Sequence, residues 1–158
     1  LRLIGEEEAA LASTAACPFT DVPDWCRPYV AYAYAQGYTK GMDEEGGIFG
    51  TNDTLTAGQY VTFLLRALGY RDSGEAPDFT WDTALERAVE LGVLTPGEEA
   101  MLTSETFLRA QVVYASYFAL SAPRKAGGTM LSGLTASGAL DATKVNSVMP
   151  GVSVARMS

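Results

Sequence analysis

The residues able to do chemistry in this chain gather at two helix starts. Thr56-Ala57-Gly58-Gln59 places a hydroxyl and an amide at the Thr-x-x-Gln spacing. That is the spacing of a capping box: the Thr56 hydroxyl accepts from the backbone N–H three residues on, and the Gln59 side chain reaches back to the N-cap N–H. Leu108-Arg109-Ala110-Gln111 keeps the frame but exchanges the hydroxyl for an alkyl chain and adds a guanidinium. A cation in the first turn opposes the positive end of the helix dipole. An arginine held there points to an anionic ligand, a carboxylate that the guanidinium fork and the helix N-terminus both attract. The competing reading of Arg109 is a surface side chain paired with Glu105 at i, i+4. Because Leu108 cannot cap, its helix is expected to begin earlier, near Thr103 or Ser104, which places Arg109 a turn inside the helix rather than in the first turn.

Other reactive groups are sparse. Histidine is absent from the 158 residues, which removes the commonest general base, the commonest zinc ligand and every Ser-His or Cys-His nucleophile pair. Cys17 and Cys26 are the two cysteines. They form no CxxC pair and cannot build a four-cysteine zinc site. A disulfide closing their short loop and two small buried thiols remain equally open readings. Asp21 with Asp24 is the nearest carboxylate pair for glycoside hydrolysis, but both lie in a turn, where aspartate ordinarily caps backbone N–H groups. Asp43, Glu44 and Glu45 miss the EF-hand spacing and read as a solvated turn. No catalytic residue, metal or cofactor is expected, and the segment reads as a non-enzyme.

Composition narrows the partners. Apolar residues make up 47% and charged residues 19%, the balance of a globular protein of about one domain. A net charge of −8 disfavours broad binding to nucleic acid or to an anionic membrane surface. No apolar run approaches the ~18 residues that a membrane span needs. With Leu1 first and no signal peptide visible, the chain is expected to be a piece of a longer protein.

The elements that position these groups follow from periodicity. LRLIG reads as the tail of a helix stopped by Gly5, and the acidic, alanine-rich stretch after it as a short helix with its acids in the favourable first turn. RPYVAYAYAQG alternates with period two at its centre, yet alanine, Pro28 in the first turn and the Gly37 stop favour a helix. Residues 37–54 form a glycine- and acid-rich loop in which Ile48 and Phe49 are expected to plug into the core. The next helix runs from about Thr56 to Leu68, with Val61, Leu64, Leu65 and Leu68 on one face. After a linker at 71–78, Trp81, Ala84, Leu85, Ala88, Leu91 and Gly92 echo the first helix. A shorter loop over 93–105 precedes the second long helix, which ends near Leu120. Gly37 to Gly92 spans 55 positions and Gln59 to Gln111 spans 52, so the second copy of this internal repeat has lost three loop residues. A weak, small-residue helix ending at Gly138 follows Pro123. Residues beyond it form a short helix or an untidy tail.

Phe19-Thr20-Asp21-Val22, Trp25, Gly37-Tyr38-Thr39-Lys40-Gly41, Phe49, Thr56…Gln59 and Leu68-Gly69 occur in an order that resembles the S-layer homology (SLH) repeat. The match covers one repeat within 17–70. A divergent one within 71–122 lacks the Phe-x-Asp-Val opening, residues 1–16 look like the tail of a preceding repeat with its connector, and 123–158 form an unmatched, weakly helical extension. The resemblance implies an all-α fold of tandem helix–loop–helix repeats about a pseudo-threefold axis. It also implies a non-catalytic module on a bacterial cell wall or S-layer, binding secondary cell-wall polysaccharide of the pyruvylated amino-sugar type. Arg109, Trp25, Trp81 and Gly41 are the ligand positions carried over. Thr56 and Gln59 are structural. The alternative is a scaffold with decayed glycan grooves whose partner is another surface-protein domain.

Overall fold

The computed structural model describes residues 1–104 and 106–158. The protein is all-α: eight α-helices and two 3-10 turns are present among the described residues, and β-structure is confined to isolated bridges. The chain divides into two compact units, Leu1–Thr54 and Leu55–Ser158. The division falls inside segment 17–70, between its two helices.

In the first unit a 3-10 turn, Arg2–Ile4, closes on Gly5 in the left-handed conformation. Helix α1, Glu7–Ala12, packs against α2, Arg27–Ala35. The alternating Tyr-Ala stretch is therefore helical, and α2 stops ahead of Gly37, whose φ is +75°. Phe19, Val22 and Val30 form the core, with Cys17, Cys26, Tyr34 and Phe49 packed around them. The Phe19 ring meets Tyr34 edge-on at 5.4 Å and Phe49 at 5.5 Å. Phe49 thus plugs the loop into the core, whereas Ile48 is 39% exposed and contributes its backbone instead. The Ile48 carbonyl takes the N–H groups of Met42 and Asp43.

Asp21 holds this loop. Its carboxylate accepts the backbone N–H groups of Phe49 at 2.7 Å, Gly50 at 2.8 Å and Thr51 at 3.0 Å. Three donors on one carboxylate favour its charged form. The Phe49 and Thr51 bonds, aided by Gly50, hold Asp21 below its ordinary value. Asp24 instead faces Arg27 at 3.4 Å and is exposed.

The second unit contains α3 (Ala57–Ala67), α4 (Ala84–Glu90), α5 (Pro96–Ser104), α6 (Arg109–Ala119), α7 (Met130–Ala136) and α8 (Ala142–Val148), closed by a 3-10 turn, Met149–Gly151. Val61, Leu64, Leu65 and Leu68 line the buried side of α3. That face packs on α4, where Ala84 and Ala88 are small enough to let the helices approach, and α3 also meets α6. Tyr60 of α3 hydrogen-bonds the Ser116 hydroxyl of α6 and stacks on Phe107.

Two expectations need correction here. Residues 93–105 are not a shortened loop, because most of them form α5. Thr95-Pro96-Gly97-Glu98, within the stretch expected to be loop, is a capping box with proline at the first helical position: Thr95 Oγ1 accepts the Glu98 N–H at 3.1 Å and Glu98 Oε2 accepts the Thr95 N–H at 2.8 Å. Nor does α6 begin near Thr103 or Ser104. It begins at Arg109.

The structure also shows a duplication beyond the one expected. Helices α4 and α5 start at 84 and 96, and α7 and α8 at 130 and 142, a constant shift. Gly92 and Gly138 end the first helix of each pair with φ of +72° and +76°. The Leu94 N–H bonds the Ala88 carbonyl and, at the same shift, the Leu140 N–H bonds the Leu134 carbonyl. The phrases Gly92-Val93-Leu94-Thr95 and Gly138-Ala139-Leu140-Asp141 carry the signal, each placing a capping residue before the next helix.

One prediction follows from Asp21. Its folded value lies below 3.8, so its stabilising contribution is complete above the unfolded value and is lost as pH falls through the lowered folded one. Asp21→Asn is expected to lower the thermal midpoint at pH 7 and to flatten its decline below pH ~4. Thermal melts from pH 7 to 2.5, read by circular dichroism, check this. Parallel acid profiles for the two proteins would refute it.

Candidate functional site

The frame shared by the two helix starts is preserved in space. At α3, Thr56 Oγ1 accepts the Gln59 N–H at 3.2 Å while Gln59 Oε1 accepts the Thr56 N–H at 2.9 Å. At α6, Gln111 Oε1 accepts the Leu108 N–H at 2.6 Å. Leu108 has no acceptor to return, so this box is half made. The surviving bond is sheltered because Gln111 is buried, and an extended N-cap backbone (φ −106°, ψ 161°) still starts the helix at the same place. Arg109 is therefore the first residue of its helix and exposed, the counterpart of buried Ala57, rather than a turn inside. Its proposed neighbour Glu105 lies outside the described residues.

The tryptophans stand out differently. Trp25, in the turn leading into α2, and Trp81, in the turn before α4, are each 78% exposed. Burial of a tryptophan is worth so much that leaving one in water asks for an explanation. Trp25 lines an open pocket of about 600 Å³ with Leu1, Arg2, Glu7 and Tyr29. Tyr29, in the first turn of α2, lines the same pocket. The Arg2 Nε donates to both Glu7 carboxylate oxygens at 2.7 and 2.8 Å. The arrangement offers flat apolar surface beside a charge pair, which suits a pyranose ring with polar substituents. Glu7 also neutralises Arg2, so an anionic ligand must displace that carboxylate to gain the full charge.

Of the predicted ligand residues, Trp25 lines this pocket, whereas Trp81 and Arg109 belong to the second unit. Gly41 has a backbone role: its φ is +72°, and a Cβ there would lie 2.5 Å from the Phe19 ring and 2.7 Å from the Ile48 carbonyl oxygen. Cys17 and Cys26 are free thiols against the same apolar cluster, their Sγ atoms directed at the Phe19 and Pro23 carbonyls. Sequence reasoning missed Arg2, Glu7 and Tyr29. The Trp25–Tyr29 spacing was visible as i, i+4, but the Arg2–Glu7 pair crosses a turn that no helical period connects. Among the described residues no cluster of three metal-binding side chains occurs, and no helix is long and apolar enough to cross a membrane.

No family model matches the chain, and neither a curated protein nor a solved structure matches it.

The half-made box yields a prediction. Leu108→Thr supplies the missing acceptor at an exposed position and is expected to stabilise the second unit by roughly 0.5–1 kcal/mol, whereas Thr56→Ala is expected to cost about 1 kcal/mol. Urea denaturation followed by tryptophan fluorescence measures both. A Leu108→Thr variant no more stable than the parent would show that its hydroxyl does not close the box.

Proposed function

We propose that the chain is a non-catalytic anchoring module of SLH type that binds secondary cell-wall polysaccharide on a bacterial surface. The observation that carries this reading is the open pocket lined by the exposed Trp25 indole, Tyr29 and the Arg2–Glu7 pair. Aromatic faces stack on sugar rings, and a guanidinium meets an acidic substituent such as a pyruvyl carboxylate. Repetition supports the same reading. Three helices, α2, α4 and α7, are each followed closely by a left-handed glycine and then by another helix. Under this proposal they are tandem repeats about a pseudo-threefold axis, with residues 123–158 forming the third rather than an unrelated extension. The module acts outside the cell, with the polymer as its partner.

A second reading has its own observation. Ala57 occupies the position at which the family phrase carries arginine, and Arg2 is already paired, while the chain as a whole carries −8. These features favour a scaffold contacting another surface-protein domain, its glycan grooves lost.

Co-sedimentation with purified cell-wall sacculi separates the two. The anchoring reading expects the chain to pellet with sacculi and Trp25→Ala to weaken this about tenfold, on the order of 1.4 kcal/mol. Glu7→Gln, by releasing Arg2, is expected to tighten binding to acidic polymer. A chain that stays in the supernatant with untreated sacculi would overturn anchoring.

A further inference from the structure

Glu98 is the most deeply buried charged side chain described, at 1% exposure, although capping α5 does not require burial. Its carboxylate accepts the Thr95 N–H and, at 3.2 Å, the Tyr114 hydroxyl of α6. Its remaining capacity goes to Arg156, whose Nε donates to Oε1 at 2.9 Å and whose Nη2 donates to Oε2 at 3.0 Å. Nη2 also donates to the Val93 carbonyl at 2.9 Å, and the guanidinium lies 5.3 Å from the centre of the Phe118 ring. Burial pushes the Glu98 carboxyl up, but the Arg156 bonds together with Thr95 and Tyr114 outweigh it and leave it low. Carboxylate fork, carbonyl and aromatic face together fit a planar guanidinium and not a compact ammonium.

The surroundings read backbone as well. The Met157 N–H donates to the Tyr114 hydroxyl at 2.8 Å, and Thr95 Oγ1 donates to the Met157 carbonyl at 2.7 Å. Gly97 completes the cradle: a Cβ there would run into the Ser158 carbonyl. A glycine in the first turn of a helix is otherwise a cost. The segment filling the cradle, residues 152–158, has no regular structure, and Val152, Val154 and Met157 stay exposed. Nearly all of its polar anchoring passes through Arg156 and the peptide after it.

We infer that the second unit carries a peptide-recognition site for an arginine followed by extended backbone, and that residues 152–158 occupy it as an intramolecular ligand. The site belongs to α5 and α6, far in character from the open aromatic pocket of the first unit, and does not depend on the glycan reading. Its external ligand is an extended peptide with an arginine at the position of Arg156.

The test uses the full chain with Arg156→Ala, which removes the resident guanidinium, and a fluorescein-labelled peptide VSVARMS read by anisotropy. Saturable binding is expected, at least tenfold tighter than to the unaltered chain and at least tenfold tighter than for the lysine peptide VSVAKMS. Adding Glu98→Gln is expected to abolish it. Absence of binding by a folded Arg156→Ala chain, or equal binding of the arginine and lysine peptides, would overturn the inference. A measurement on the unaltered chain covers the case in which the variant does not fold. Titration with N-acetyl-arginine-methylamide is expected to shift the Thr95 and Glu98 amide resonances and to move those of residues 152–158 toward disordered positions, with the lysine analogue inert. Unmoved Thr95 and Glu98 resonances, or the same response to lysine, would overturn it too.

Discussion

Side-chain hydrogen bonding at helix starts is the constraint on which much of the second unit depends. The chain's α-helices run from six to eleven residues, lengths at which an isolated helix in water is marginal. Such helices need their free N-terminal N–H groups satisfied by something other than length. Thr56 with Gln59, Thr95 with Glu98 and Thr129 with Ser132 each close a full box. Asp141 accepts the Lys144 N–H at 2.9 Å, and Gln111 takes the Leu108 N–H. Extended backbone at Thr56, Leu108, Thr129 and Asp141 turns the chain where each helix begins. Left-handed glycines at 37, 69, 92 and 138 turn it again soon after helices end.

A boundary set by local hydrogen bonds frees the remaining first-turn positions to vary. Ala57 and Arg109 occupy one geometric place, immediately after the N-cap, and only their side chains differ. The alkyl group at Leu108 does not move the helix start, because the buried Gln111 amide alone marks it. Whether such a position carries charge is therefore a matter of ligands or neighbours rather than of fold. The same logic covers Gly97, where helix propensity disfavours the residue present and the passing Ser158 backbone explains it.

What could be read in advance follows the same division between local and distant effects. The α3 stripe, the Thr56–Gln59 box, the helical assignment of α2 and its glycine stop all rest on interactions within five residues, and periodicity exposes them. Helix α5 has an equally local signal in Thr95-Pro96-Gly97-Glu98, a capping box with proline at its first helical position, although the stretch reads as a loop when matched against the first copy. The start of α6 was misplaced because the cap was sought in a hydroxyl when an amide sufficed. The pairing of Arg2 with Glu7 and the embrace of Arg156 by Glu98 had no such signal. They depend on where tertiary packing brings separate segments, and for Arg156 the partners lie 58 and 63 residues away. The exposure of Trp25 and Trp81 is of the same kind, since an aromatic at a helix entrance packs or protrudes according to what the rest of the chain covers.

The two carboxylates that hold the segments following α2 and α4 show how one physical task leaves different possibilities behind. After α2, residues 37–54 return as an irregular loop with several free N–H groups, and Asp21 accepts three of them. A carboxylate has about four lone-pair directions, so backbone donors nearly saturate Asp21 and hold its charge in a purely structural use. After α4, helix formation satisfies most of the connection internally, and Glu98 takes a single backbone N–H. Its spare capacity is buried, where an unmet charge is expensive, and so it must be met by groups from elsewhere: the Tyr114 hydroxyl and the Arg156 guanidinium. Asp21 is thus spent on closing a loop, whereas Glu98, beside a helix rather than a loop, is met by groups from distant segments.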